Sequence, residues 1–293
     1  MGRDLGTALI RDQFPQWSDR NIEAYPLSGT VNAIFRIGTD LAARFPLRPG
    51  DPEVMQRNLE DEAEAVEEFS STVSFAAPVP VAIGQPGADY PLPWNIQTWV
   101  PGASATPDSI ASSDMAAKDI STLILHLRSA DAQGRTFCGE GRGGKLPDHD
   151  QWMNTCFDKS SSLMNVGPLR ALWAELRELP DGKADVMSHG DLIPQNILIS
   201  HGRISGVIDT GSFGPADPAL DLIAAWHLFD PPRRDAVRTQ VGCADVEWQR
   251  SAAWAFQQAM GLVWYYAETN PAMAALGLST LRRIQETSDW LDD

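Results

Sequence analysis

Three side chains within one short stretch have the types and spacing to hold a divalent cation against phosphate: Asp191, Asn196 and Asp209. The stretch reads Ser188-His189-Gly190-Asp191-Leu192-Ile193-Pro194-Gln195-Asn196-Ile197-Leu198-Ile199-Ser200 and resumes at Val207-Ile208-Asp209-Thr210-Gly211. Phosphoryl transfer asks little covalent chemistry of a protein. It asks for a cation held on the phosphates and a group that orients the nucleophile. Magnesium takes one or two carboxylate or amide oxygens from a protein and keeps waters and phosphate oxygens for the rest. Taken singly, each of the three reads equally well as a turn residue, since Gly-Asp steps and an Asn ahead of a strand are common turn chemistry. Together, separated by apolar runs, they read as a site.

The elements that must position them follow from the hydrophobic pattern. The sequence predicts two strands, 196–199 and 204–209, joined by the turn Ser200-His201-Gly202-Arg203, with Asn196 opening the first and Asp209 closing the second. That pairing is expected to bring Asp209 back beside Asn196. Ahead of them the first hundred residues read as strands with one inserted helix. Asn32–Ile37 and Leu41–Pro46 flank the turn Gly38-Thr39-Asp40 as a hairpin. Residues 52–70 form an acidic helix with Leu59, Ala63, Val66 and Phe69 at helical spacing, and strands at 79–83 and 94–100 follow. After Pro101-Gly102 long helical patterns take over. Met115, Ile120, Leu123, Ile124 and Leu127 read as one apolar stripe behind Ser113 as N-cap, and the aromatic-rich segment 248–266 reads as buried core.

The motif resembles the catalytic core of the aminoglycoside phosphotransferase family. His189-Gly190-Asp191, Asn196 five residues on and Ile208-Asp209 carry the likeness, extended by Gly214-Pro215-Ala216-Asp217-Pro218-Ala219-Leu220-Asp221-Leu222. The resemblance implies a bilobal, protein-kinase-like α+β fold. A strand-rich nucleotide-binding lobe would span 1–101 and end in the hinge. A helical lobe with catalytic loop and acceptor site would span 102–293. It also implies ATP or GTP and Mg²⁺ as cofactors, Asp191 as catalytic base, Asn196 and Asp209 as magnesium ligands, and structural roles for Asp217 and Asp221.

The same scheme fits the first third. Leu27-Ser28-Gly29-Thr30-Val31-Asn32 stands where the family places its nucleotide-covering loop, with Gly29 its one glycine. No lysine occurs in residues 1–100, so the phosphate-pairing cation of the third strand falls to Arg44, which forks onto phosphate oxygens where lysine would offer a point charge. Its partner is expected on the acidic helix at Glu62, with Glu60 as the alternative. Ile96-Gln97-Thr98-Trp99-Val100-Pro101-Gly102 resembles the family's hinge, which would hold the nucleobase through the backbone of Thr98 and Val100.

Gly190 stands where protein kinases carry an arginine, and the few residues between Asp209 and Pro218 leave no room for a peptide-docking segment, so a small-molecule acceptor is expected. The formal charge of −16 disfavours nucleic acid and anionic membrane and suits a cationic acceptor such as an aminoglycoside. Family relatives also phosphorylate macrolides, choline-like alcohols, sugars and homoserine. Assembly as a homodimer is allowed. Three scattered cysteines, the absence of a secretion or myristoylation pattern, and no apolar run of membrane-spanning length point to a cytoplasmic protein. The rival from another class is a catalytically silent, kinase-like nucleotide-binding or scaffold protein.

Overall fold

Strand alternation and one well-capped helix set the first part of the chain. The computed structural model describes residues 2–25, 32–87, 89–139 and 141–287. Gly29 and the loop around it lie outside the described residues. The chain divides into two compact units, Met1–Pro101 with Gly206–Ser212, and Gly102–Ser205 with Phe213–Asp293.

The first unit holds α1 (Arg3–Gln13), β1 (Ile22–Tyr25), β2 (Asn32–Ile37), β3 (Leu41–Pro46), α2 (Pro52–Thr72), β4 (Pro80–Gly84) and β5 (Trp94–Thr98). Its antiparallel sheet runs β1-β2-β3-β5-β4, with β2 and β3 in register from Asn32↔Pro46 to Ile37↔Leu41. Ala43 and Phe45 share one face of β3, and Arg44 takes the other. Phe45 anchors the core. Its ring stacks on Trp94 at 4.4 Å and meets Phe35 and Tyr90 edge-on, while the Tyr90 hydroxyl donates to the Pro46 carbonyl at 2.7 Å. On α2, Asp51 is the N-cap, accepting from the Glu53 and Val54 amides, and Pro52 fits the first helical position. Leu59, Val66 and Phe69 are the buried stripe. Glu62 stands three residues after Leu59 and four before Val66, so it faces inward with them.

The second unit holds β6 (Ala103–Ser104), α3 (Pro107–Ile110), α4 (Asp114–Ser129), α5 (Asp150–Ser160), α6 (Gly167–Leu176), β7 (Val186–Ser188), β8 (Ile197–Ser200), β9 (Arg203–Val207), β10 (Gly214–Ala216), α7 (Ile223–Leu228), α8 (Pro231–Val241), α9 (Asp245–Tyr265) and α10 (Pro271–Gln285), with β9 running on into the first unit at Gly206. β7 pairs with β10, and β8 lies between β6 and β9. Ser113 caps α4 through the Ala116 amide at 3.1 Å. Met115 is not part of the buried stripe. It is 52% exposed, because five residues before Ile120 places it about 140° around the helix. The aromatic-rich α9 is core along most of its length, and its Arg250 and Trp254 both donate to the buried Asp217 carboxylate. Cys156 and Cys243 are free thiols pushed up to about 11, chiefly by burial, while Cys138 is free and exposed. No helix among the described residues is long and apolar enough to cross a membrane.

α10 packs on α9 through Gly277, where an added Cβ would lie 2.7 Å from the Ala259 carbonyl oxygen. Gly277→Ala would gain roughly 0.8–1 kcal/mol of helix propensity. Overpacking against a backbone that cannot yield costs about 1–3 kcal/mol, so a net loss is expected. Urea unfolding should show a lower midpoint with an unchanged slope. A midpoint at or above wild type would mean the two helices separate freely.

Candidate functional site

Residues of interest gather in two places, one in each unit. In the first, Arg44 on β3 pairs with Glu62 Oε1 through one guanidinium nitrogen and lies 3.3 Å from Asp209 Oδ1 through another. The Arg44 side chain is 15% exposed and that of Asp209 55%. Glu60, the alternative partner, points out to Gln56, because two residues of helix turn it about 200° from Glu62. Asp209 reaches Arg44 because 206–212 is stitched to the first unit: Gly206 bridges Ala76, and the Val207 amide donates to the Ala76 carbonyl at 2.8 Å. Gly211 then runs so close to α2 that a Cβ there would lie 2.2 Å from Glu62 Cγ.

Asp209 does not close a strand, contrary to the sequence expectation. β9 ends at Val207, and Asp209 adopts φ 60°, a left-handed conformation outside any ladder that Asp and Asn tolerate better than most residues. Asn196 does not open a strand either, since it ends a 3₁₀ turn, Pro194–Asn196.

Thr98 is the last residue of β5. Its amide donates to the Val79 carbonyl at 2.9 Å and its hydroxyl accepts from the Val79 amide at 2.8 Å. The Val100 amide makes no hydrogen bond among the described residues.

In the second unit the loop after β7 is tied down at every step. Buried Asp221 accepts from the His189 amide at 3.1 Å. Burial raises the Asp221 pKa, opposed by the charge and amide of His189 and by the Ser188 hydroxyl. Gly190 takes φ 83° and donates to Ser188 Oγ at 3.0 Å. The Asp191 carbonyl accepts from the Ile193 amide at 2.8 Å and from Asn196 Nδ2 at 2.9 Å. A carbonyl can only accept, so the Asn196 amide group is set with nitrogen inward, leaving Oδ1 without a hydrogen-bond partner among the described residues. The Asp191 carboxylate receives Arg142 and, at 2.8 Å, Gln258 Nε2, both on Oδ1. Beside them sits buried His149, whose pKa is lowered by burial and by the Arg142 charge.

Sequence reasoning did not single out Arg142, Gln258 or His227. The signals were present but weak: one cation inside the glycine-rich run 139–144, and an adjacent amide pair, Gln257-Gln258, in an otherwise apolar helix. Among the described residues no cluster of three or more His, Cys, Asp and Glu side chains could hold a metal. The donor oxygens of Asn196 and Asp209 are hard and few, which fits Mg²⁺ carried on phosphates better than an all-protein cage.

Residues 23–254 match the model of the "Phosphotransferase enzyme family". Two aminoglycoside 3'-phosphotransferases of Escherichia coli are similar in sequence. One is 38% identical over 72 residues, covering 24% of this chain and 27% of the relative. The other is 26% identical over 142 residues, covering 46% of this chain and 52% of the relative. The chain thus spans about half or less of the length of these curated relatives. Among solved structures, the GDP complex of wild-type aminoglycoside 2'-phosphotransferase-IIIa superposes with a TM-score of 0.71 at 17% identity, covering 98% of this chain and 100% of that one. At that identity the likeness is one of fold, α+β and protein-kinase-like.

Proposed function

Because the chain belongs to the phosphotransferase enzyme family, we propose that it moves the γ-phosphoryl group of ATP or GTP onto a hydroxyl of a small acceptor, with an aminoglycoside the first to try. The observation that carries this reading is the locked loop at Asp191. Asn196 is fixed by the Asp191 carbonyl, and Asp191 Oδ2 has no partner among the described residues. One loop therefore offers an oxygen for a cation and a carboxylate oxygen for an acceptor hydroxyl.

In this reading Asp191 orients the hydroxyl and takes its proton as the new O–P bond forms and the bond to the departing nucleoside diphosphate breaks. Arg44, steadied by Glu62, grips phosphate oxygens. Asn196 Oδ1 and the Asp209 carboxylate would hold Mg²⁺, which when bound neutralises charge on the phosphates. Hinge contacts from the Thr98 and Val100 backbone would hold the nucleobase, and Gly29 would cover the phosphates. The lobe assignment of 1–101 and 102–293 follows the same reading. A net charge of −16 and the two curated relatives support a cationic acceptor.

The test is nucleotide consumption by the purified protein with ATP or GTP, Mg²⁺ and a panel of amino sugars, macrolides and small alcohols. Acceptor-dependent release of nucleoside diphosphate is expected. Nucleotide binding without consumption across the panel would favour a silent scaffold.

The phosphate grip can be weighed separately. Arg44→Ala is expected to weaken nucleotide binding by roughly 1.5–3 kcal/mol, the scale of charge-assisted hydrogen bonds. Glu62→Ala should weaken it less, and the double variant should fall short of the sum. Strict additivity in calorimetric affinities would separate Glu62 from the grip.

A further inference from the structure

Asp191 is backed by a string of buried polar groups that no step above employs. Gln258 of α9 donates Nε2–H to Asp191 Oδ1 at 2.8 Å, and its Oε1 lies 2.9 Å from His227 Nε2 on α7. His227 Nδ1 in turn lies 2.8 Å from Thr280 Oγ1 on α10. Gln258 is 6% exposed, and His227 and Thr280 are fully buried.

Chemistry sets the direction of every bond in the string. An ionised carboxylate only accepts, so Gln258 must turn its NH₂ to Asp191 and its carbonyl to His227. His227 must then carry its proton on Nε2. Burial is the main reason that its pKa is pushed down to about 4; the Gln258 bond opposes this, and the Arg142 and Arg283 charges add to it. The ring is therefore neutral, and its bare Nδ1 accepts from the Thr280 hydroxyl. Arg142 closes on the same Asp191 oxygen. Both donors sit on Oδ1, so rotation of the carboxylate would break two bonds at once.

We propose that Gln258 and His227 are positioning residues for phosphoryl transfer: anchored on Thr280, they fix the Asp191 carboxylate so that Oδ2 is the oxygen presented to the acceptor hydroxyl. The inference rests on the reading of Asp191 as the carboxylate that meets the acceptor. A mere core-filling role for the string would leave turnover coupled only to stability.

Two measurements decide it. Nitrogen-15 NMR of the imidazole in the full wild-type chain should find His227 neutral and protonated on Nε2, and proton occupancy of Nδ1 would overturn the proposal whatever the activity. Gln258→Met keeps length and volume but removes the amide. With MgATP, and with kanamycin and water as parallel acceptors, its kcat should fall about 10- to 100-fold, the cost of a misplaced reacting group. Its KM for MgATP should stay at the wild-type value. A loss of kcat that tracks a matching loss of nucleotide affinity and melting temperature would overturn the positioning role. Asp191→Asn run alongside separates the two failures. If Asp191→Asn loses turnover and Gln258→Met does not, the positioning role alone falls. If Asp191→Asn keeps turnover, the reading of Asp191 falls and takes this inference with it.

Discussion

Asp191→Asn is expected to lower turnover by about 10²–10⁴-fold, the usual worth of general-base assistance, with nucleotide affinity close to wild type. The variant keeps the side-chain shape, and an asparagine Oδ1 can still accept from Arg142 and Gln258, so the loop should hold. What disappears is the oxygen able to take a proton from a hydroxyl. Arg44, Glu62 and Asp209 are untouched, which is why affinity and turnover should part company. A purely structural Asp191 would instead lose melting temperature and nucleotide binding together. A well-folded variant that binds nucleotide and turns over the identified acceptor at the wild-type rate would exclude the base.

Asp209→Asn should be at least as damaging. Asparagine is among the few residues that sit comfortably at the positive φ of this position, so the backbone should not move. The substitution removes the one carboxylate proposed to face the cation. Metal stabilisation of developing phosphate charge is worth several kcal/mol. Turnover should therefore drop by about 10³-fold or more. Arg44 loses its 3.3 Å neighbour but keeps Glu62, so some nucleotide affinity should survive. Calorimetry at several Mg²⁺ concentrations reads this directly: the magnesium dependence of nucleotide binding should weaken. If magnesium dependence and turnover both stay at wild type, Asp209 is not a ligand.

Much of this geometry was legible in the sequence because local periodicity fixes it. Alternation along β3 puts Arg44 opposite Phe45, and helical spacing on α2 turns Glu62 inward with Leu59 and Val66. Periodicity accounts for the faces these two residues take, whereas their selection as a pair came from resemblance to the family's third strand and acidic helix. The α+β class was readable for the same reason, since short strand-like runs give way to long helical patterns along the chain. The places where reading failed are those decided by tertiary context. Asp209 continues an apolar strand pattern, yet the bond from the Val207 amide to Ala76 carries the chain out of the ladder. α1 was not anticipated, because an 11-residue helix with only Gly6, Leu9 and Ile10 buried leaves a faint stripe. Arg142, Gln258 and His227 come from elements far apart in sequence, and a side chain's partner across such distances has no periodic signature. Gln258 in particular hides in a helix whose other residues are nearly all core.

The uneven environments of the three cysteines give the natural chain a built-in point of attachment. Thiol reagents react with the thiolate, and the thiols of Cys156 and Cys243 are raised to about 11, so both are almost wholly protonated at neutral pH. Cys138 alone of the three is exposed. It lies four residues before Arg142, whose guanidinium is paired with Asp191. A maleimide dye added at neutral pH is expected to label Cys138 ahead of the other two, on the stretch of chain leading to that ion pair.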